Sequence, residues 1–144
     1  MILYHGTGDP DLTIRPMVRS RYGYPAIFAT PDKELARMYA RYYALYNPKF
    51  RKVGGYLYEL ELDWKAPELV QDLKGRPPAL GELRRLFSSM QSAGVYVGQI
   101  SNVYDWPEDK PALRHFRPAD LVGIFKPRLI FRVSLVEIFQ KDFD

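Results

Sequence analysis

Leu3-Tyr4-His5-Gly6-Thr7 and Ala26-Ile27-Phe28-Ala29-Thr30-Pro31 are the two stretches that decide how this chain is read. The first is an apolar and aromatic run that closes on an imidazole, a glycine and a hydroxyl. It predicts a short strand over 2–4, broken by Gly6, Gly8, Asp9 and Pro10. The second predicts a strand over 26–29 that turns into a helix. Thr30 is a good N-cap, Pro31 suits the first helical position, and Asp32 and Glu34 suit the positive end of the helix dipole. Leu35, Met38, Tyr39, Tyr42 and Tyr46 then recur at helical spacing, and Asn47-Pro48 ends the pattern. Side by side, the two pieces would frame a cleft with one ring-stacking face and a few hydrogen-bonding groups.

Between them, residues 9–25 read as a long loop with one apolar anchor, Ile14, and three arginines, Arg15, Arg19 and Arg21. Beyond the helix, a basic loop with Lys49, Arg51 and Lys52 leads to the clearest strand, over 56–62. Residues 67–73 predict a short helix and 75–78 a turn. Leu80, Leu83, Phe87 and Met90 mark a second amphipathic helix that Gly94 stops. Further strands are expected over 95–100, 121–125 and 129–139, with a break at Pro127 and a long loop at 104–118. No repeat or linker divides the chain, so 1–144 reads as one domain. Helices lie between the early strands and none between the last, which gives an α+β class rather than a doubly wound sheet.

Composition bounds the chemistry. The chain has 144 residues, 47% of them hydrophobic and 26% charged, which suits a soluble globular domain. No apolar run approaches the roughly 18 residues that span a bilayer. No leader pattern precedes the first strand, so a cytoplasmic protein with no membrane partner is expected. The absence of cysteine excludes disulfides and thiolate chemistry, and His5 and His115 alone are too few for a usual zinc centre. A net charge of +4 favours anionic partners such as nucleotides, nucleic acid or an acidic protein surface, or marks a plain solvated basic surface. Arginine outnumbers lysine, proline occurs 12 times, and asparagine only at 47 and 102. That suits a thermophile or a GC-rich genome.

Tyr4-His5-Gly6-Thr7, with Ala26 to Asp32 and Ala36 to Ala40, resembles the ADP-ribosyltransferase superfamily. The branch is the histidine type, which holds the poly-ADP-ribose polymerases, the RNA 2′-phosphotransferases and many small phage and bacterial proteins. Ser101 to Asp105 and Ala119 to Pro127 are similar to segments of those phage and bacterial members. The resemblance implies an ADP-ribosyltransferase-like fold of mixed and antiparallel split sheets with two main helices. It implies NAD as cofactor and a macromolecule as acceptor of ADP-ribose. His5 would hydrogen-bond the nicotinamide-side ribose, Gly6 would let the backbone approach the nicotinamide, Thr7 would fix the loop, and Tyr39 would stack on the ring. The arginines of the 15–21 loop, Arg15, Arg19 and Arg21, could face the pyrophosphate, a role that no family motif assigns to one of them. The family's first-strand tyrosine falls at Ile27 or Phe28, so Phe28 would line the cofactor without a hydroxyl. The family's catalytic glutamate falls at Leu121, which leaves Asp120 as the nearest carboxylate, with Glu59 and Glu61 as more distant substitutes. The catalytic candidates are therefore His5, Tyr39 and Asp120.

Each has a plainer reading. His5 could be a satisfied histidine at a strand end, Tyr39 part of a buried stripe, and Glu59 and Glu61 a solvated strand face. Tyr42 and Tyr43 beside Arg51, and Trp106 with Arg114 and Arg117 in the second long loop, suit a protein interface. They also suit single-stranded nucleic acid. Two functions stand open. One is an NAD-dependent ADP-ribosyltransferase acting on a host macromolecule. The other is an inactive member, phage-encoded, that binds a host protein such as RNA polymerase and regulates transcription.

Overall fold

In the computed structural model, residues 1–12, 17–18, 25–46, 54–63, 69–71, 92, 94–100 and 119–140 are described. Among them, eight strands and one α-helix form in the order β1 (Ile2–Thr7), β2 (Met17–Val18), β3 (Pro25–Ala29), α1 (Lys33–Tyr46), β4 (Gly55–Leu62), β5 (Leu69–Gln71), β6 (Val95–Ile100), β7 (Ala119–Ile124) and β8 (Ile130–Phe139). A 3-10 turn over Pro127–Leu129 joins the last two. The class is α+β, with antiparallel pairing throughout except for the parallel pair β5–β6. The expected helix over 80–90 lies outside the described residues.

The strands make two sheets, one ordered β1-β4-β8 and the other β2-β3-β7-β6-β5. Strand alternation explains how they stack. Leu3 on β1, Tyr56, Tyr58, Leu60 and Leu62 on β4 point one way. They meet Ile27 and Ala29 of β3, Val95 of β6, and Val122 and Ile124 of β7 in one core. Each fully buried leucine of that core contributes roughly 1.5–3 kcal/mol.

The opposite face of the three-stranded sheet receives α1. Here the sequence expectation needs correction. Of the expected stripe Leu35 is buried, while Met38 and Tyr39 are only half-buried; among the described side chains, Ala36, Ala40 and Ala44 are the others that the helix buries. The reason is closeness of approach. A Cβ on Gly6 would stand 2.8 Å from the Ala40 nitrogen and 2.9 Å from Tyr39 Cβ, and one on Gly55 would run into the Ala40 carbonyl. Two glycines on the sheet and a row of alanines on the helix let the backbones touch. Leu57 packs in the same cluster, with Tyr4 and Phe139 against it.

Other boundaries also differ. β1 runs on to Thr7, because Gly6 and Thr7 pair with Leu57 and Tyr56. Asp32, not Thr30, caps α1: its Oδ1 accepts from the Glu34 and Leu35 amides at 3.1 and 3.2 Å. Thr30 is taken up one step earlier, where its Oγ1 accepts from the Asp32 amide at 3.1 Å. The short helix expected over 67–73 is instead a strand at Leu69–Gln71, because pairing with β6 supplies partners that local propensity cannot foresee. The long loop expected over 9–25 contains the two-residue strand β2, paired with Pro25 and Ala26. β7 begins at Ala119, two residues before the expected start.

Candidate functional site

The two sheets meet along the exposed side of β1. A single rung joins them: the Tyr4 amide donates to the Thr30 carbonyl at 2.8 Å, and the Thr30 amide to the Tyr4 carbonyl at 2.9 Å. In a regular antiparallel ladder the next hydrogen-bonded pair would be Gly6 with Phe28. Instead, His5 Nδ1 lies 2.6 Å from the Phe28 carbonyl oxygen. A carbonyl can only accept, so Nδ1 carries the proton and donates. The imidazole takes the acceptor that the next rung would have used. It holds the sheets together while letting their backbones diverge. In the neutral ring Nε2 is then an acceptor, the chemistry that a sugar hydroxyl requires.

The segment after β1 is tied down next to this seam. Thr7 Oγ1 accepts from the Asp9 amide at 3.2 Å, and Asp9 Oδ1 from the Asp11 amide at 3.0 Å. The Tyr58 hydroxyl, on the residue paired with His5, donates toward the carbonyls of Asp9 and Pro10 at 2.9 and 2.7 Å. Burial, and then the neighbouring Asp9 and Asp11 carboxylates, hold the Tyr58 phenol above its ordinary pKa. Sequence reading did not single out Tyr58. Its one signal is its place in an alternating strand whose partner strand carries His5.

Of the expected site residues, His5 and Thr7 stand at the seam. Tyr39 is close, with its Cβ over Gly6, but α1 packs on the face of β1 opposite to His5. His5 and Tyr39 therefore lie on opposite sides of β1, and a ring held by both must sit at the strand's edge, beyond the Tyr4–Thr30 rung. The open side of Gly6 faces the helix backbone, so its missing side chain serves packing.

Phe28 contributes its carbonyl to the seam and not its ring. The ring lies on the far face of the five-stranded sheet, where a Cβ on Gly123 would stand 3.4 Å from Phe28 Cε1. Glu59 and Glu61 are also on the wrong side. They share a face with Leu57, under α1, and pair in register with Ser134 and Arg132. Glu61 forms an ion pair with Arg132, which compensates a buried carboxylate oxygen that has no hydrogen bond of good geometry. Neither glutamate reaches the His5 face.

Asp120 lies in β7 opposite Gln99, and Leu121 opposite Gly98. The β3–β7 ladder runs from Ile27↔Ile124 to Ala29↔Val122, so Asp120 is just past it, toward the end of β3 that carries Thr30. From the Gly123 rung, opposite Phe28, to Asp120 is three residues along β7, about 10 Å. A bound molecule would have to bridge that gap. Tyr42 and Tyr43 lie in the last turns of α1, but their side chains are outside the described residues, as are Arg15, Arg51, Trp106, Arg114 and Arg117 entirely. Among the described residues no group of three His, Asp or Glu gathers as metal ligands, and no helix is long and apolar enough to cross a membrane. No protein-family model matches this sequence, and no curated protein matches it.

Proposed function

We propose that the seam between the sheets is a nucleotide site and that the chain is an ADP-ribosyltransferase-like domain that binds NAD. The observation that carries this reading is the His5 imidazole, fixed by the Phe28 carbonyl at the point where the two sheets part. A ring held there with Nδ1 donating to a carbonyl has a fixed tautomer and orientation, which suits it to position a ribose. Tyr39 stacks on the nicotinamide from the helix side. Thr7 and Tyr58 hold the adjoining loop, and Asp120 is the carboxylate that faces the developing ribose cation. The acceptor of ADP-ribose is a host macromolecule.

A second reading is favoured by Leu121. A leucine where the resemblance calls for the catalytic glutamate removes electrostatic stabilisation worth on the order of 3 kcal/mol. On that reading the domain is inactive and binds a host protein, with RNA polymerase the candidate and transcription the process regulated. Labelled NAD incubated with host lysate, beside His5→Ala, separates the two. Transfer or NAD hydrolysis that His5→Ala abolishes establishes the enzyme. No transfer, no hydrolysis and no NAD-induced thermal shift rejects the nucleotide site and leaves the binding module.

A further inference from the structure

β8 is the outer strand of the three-stranded sheet, ten residues long, and pairs only with β4 among the described residues. It carries four of the six exposed large apolar side chains among them: Phe131, Leu135, Val136 and Ile138, at 61, 46, 40 and 54% exposure. A long apolar edge of this kind is a template for another strand. The sequence Ile130-Phe131-Arg132-Val133-Ser134-Leu135-Val136-Glu137-Ile138-Phe139 indicates which strand fits it.

Two bulges set the faces of β8. Tyr58 pairs with Leu135 while Leu57 pairs with Glu137, so Val136 is extra; Glu61 pairs with Arg132 while Leu62 pairs with Ile130, so Phe131 is extra. The Val136 bulge changes the parity of the residues after it. Arg132, Ser134 and Glu137 consequently share one face, with Val133, Leu135 and Ile138 on the other. In an unbroken strand Arg132 and Glu137, five apart, would point oppositely.

We infer that β8 pairs antiparallel with β8 of a second copy of this chain, about a two-fold axis at Ser134. In that register Arg132 of each copy stands opposite Glu137 of the other. Val133 meets Leu135 and Ile130 meets Ile138 on the opposite face, so like faces like throughout. The two bulges, which ordinarily discourage edge pairing, offset one another because each strand brings the same pair in reverse order. Charge also runs in sequence. Glu61 already pairs with Arg132, and Arg37 Nε with Glu137 Oε2 at 2.9 Å. The dimer completes an alternating row, Glu61–Arg132–Glu137–Arg37, across the axis, in which Arg132 gains a second acid and Glu137 a second base. The three-stranded sheet becomes six-stranded, and the exposed Leu135 and Ile138 of each copy gain apolar neighbours across the axis. The pairing is independent of any nucleotide at the seam.

The absence of cysteine gives a clean test. Opposed residues of an antiparallel pair have Cα atoms about 4.5–5.5 Å apart, within disulfide range. Ser134→Cys, oxidised with copper phenanthroline, should give a covalent dimer roughly tenfold or more faster than Arg128→Cys on the exposed 3-10 turn. In sedimentation, the unmodified chain should be dimeric at about 100 μM. Arg132→Glu and Glu137→Arg should each shift it toward monomer, and the two changes together should recover part of the dimer, since the swapped pair then faces Glu61 and Arg37 of like charge. A monomer at that concentration with equal cross-linking rates overturns the proposal. A dimer indifferent to both reversals overturns the register.

Discussion

The two sides of the three-stranded sheet handle the same problem in opposite ways. Both β1 and β8 flank β4, and both present an edge. At β1 the edge is engaged once, by the Tyr4–Thr30 rung, and then wedged apart by the His5 imidazole. Its residues are small or polar where they matter: Gly6 under the helix, Thr7 holding a turn. At β8 the edge is apolar, doubly bulged and bordered by two ion pairs. The contrast teaches that an edge held open beside a second sheet and an edge left for another strand to complete are built differently. The first must be held open at a fixed width; the second must offer a row that a partner strand can complete.

The sharpest way to break the comparison is to place a β-branched side chain on each edge. Gly6→Val should cost about 3 kcal/mol, since the helix backbone has nowhere to move. Ser134→Val should stay within about 0.5 kcal/mol in the monomer. Urea unfolding of both variants measures this, and equal losses would mean the helix does not seat on Gly6. His5→Ala comes next. Removing the donor to the Phe28 carbonyl should cost about 1–3 kcal/mol and speed amide exchange around Ala29 and Thr30. A variant as stable as the parent would show that the imidazole does not hold the sheets.

Asp32→Ala should cost about 1 kcal/mol through loss of the cap, whereas Thr30→Ala should cost less, because Thr30 bonds only the preceding turn. Far-UV circular dichroism melting ranks the two. The smallest effect concerns pH. Tyr58 has its folded pKa raised above the unfolded value near 10, so the folded state holds its proton longer. Its contribution is fully present below the unfolded pKa and is lost as pH rises through the folded one. As pH rises above about 10, Tyr58→Phe should therefore lose less melting temperature than the parent. An identical alkaline decline in both would assign that decline to other groups.

How far the sequence reveals this arrangement depends on whether a signal is local. β4, β6, β8 and the body of α1 are legible from alternation, helical spacing and turn residues alone. β5 is not, because Leu69 to Gln71 become a strand only by lying beside β6, across a long separation in sequence. Thr30 is a better-looking cap than its outcome because its backbone is spent on Tyr4. At the site, His5 and Thr7 are legible as a strand end that closes on polar groups. The true role of Gly6 is not, since nothing local says that Ala36, Tyr39 and Ala40 will cross it. The Phe28 carbonyl is a main-chain atom, common to every residue type, so no reading of side chains selects it. The wrong side taken by Glu59 and Glu61 comes from register, which single-strand patterns fix only relative to themselves.

The lone rung between Tyr4 and Thr30 has a consequence for how the molecule breathes. It is the only strand-to-strand hydrogen-bonded rung between the two sheets among the described residues. Their amide protons should therefore exchange when the sheets separate as rigid plates, without either plate melting. Protection at Leu60 and Val122, inside the plates, would outlast them. The ratio of the two rates would measure how independently the halves of this small domain move, and an NMR spectrum with those four resonances assigned would suffice to read it.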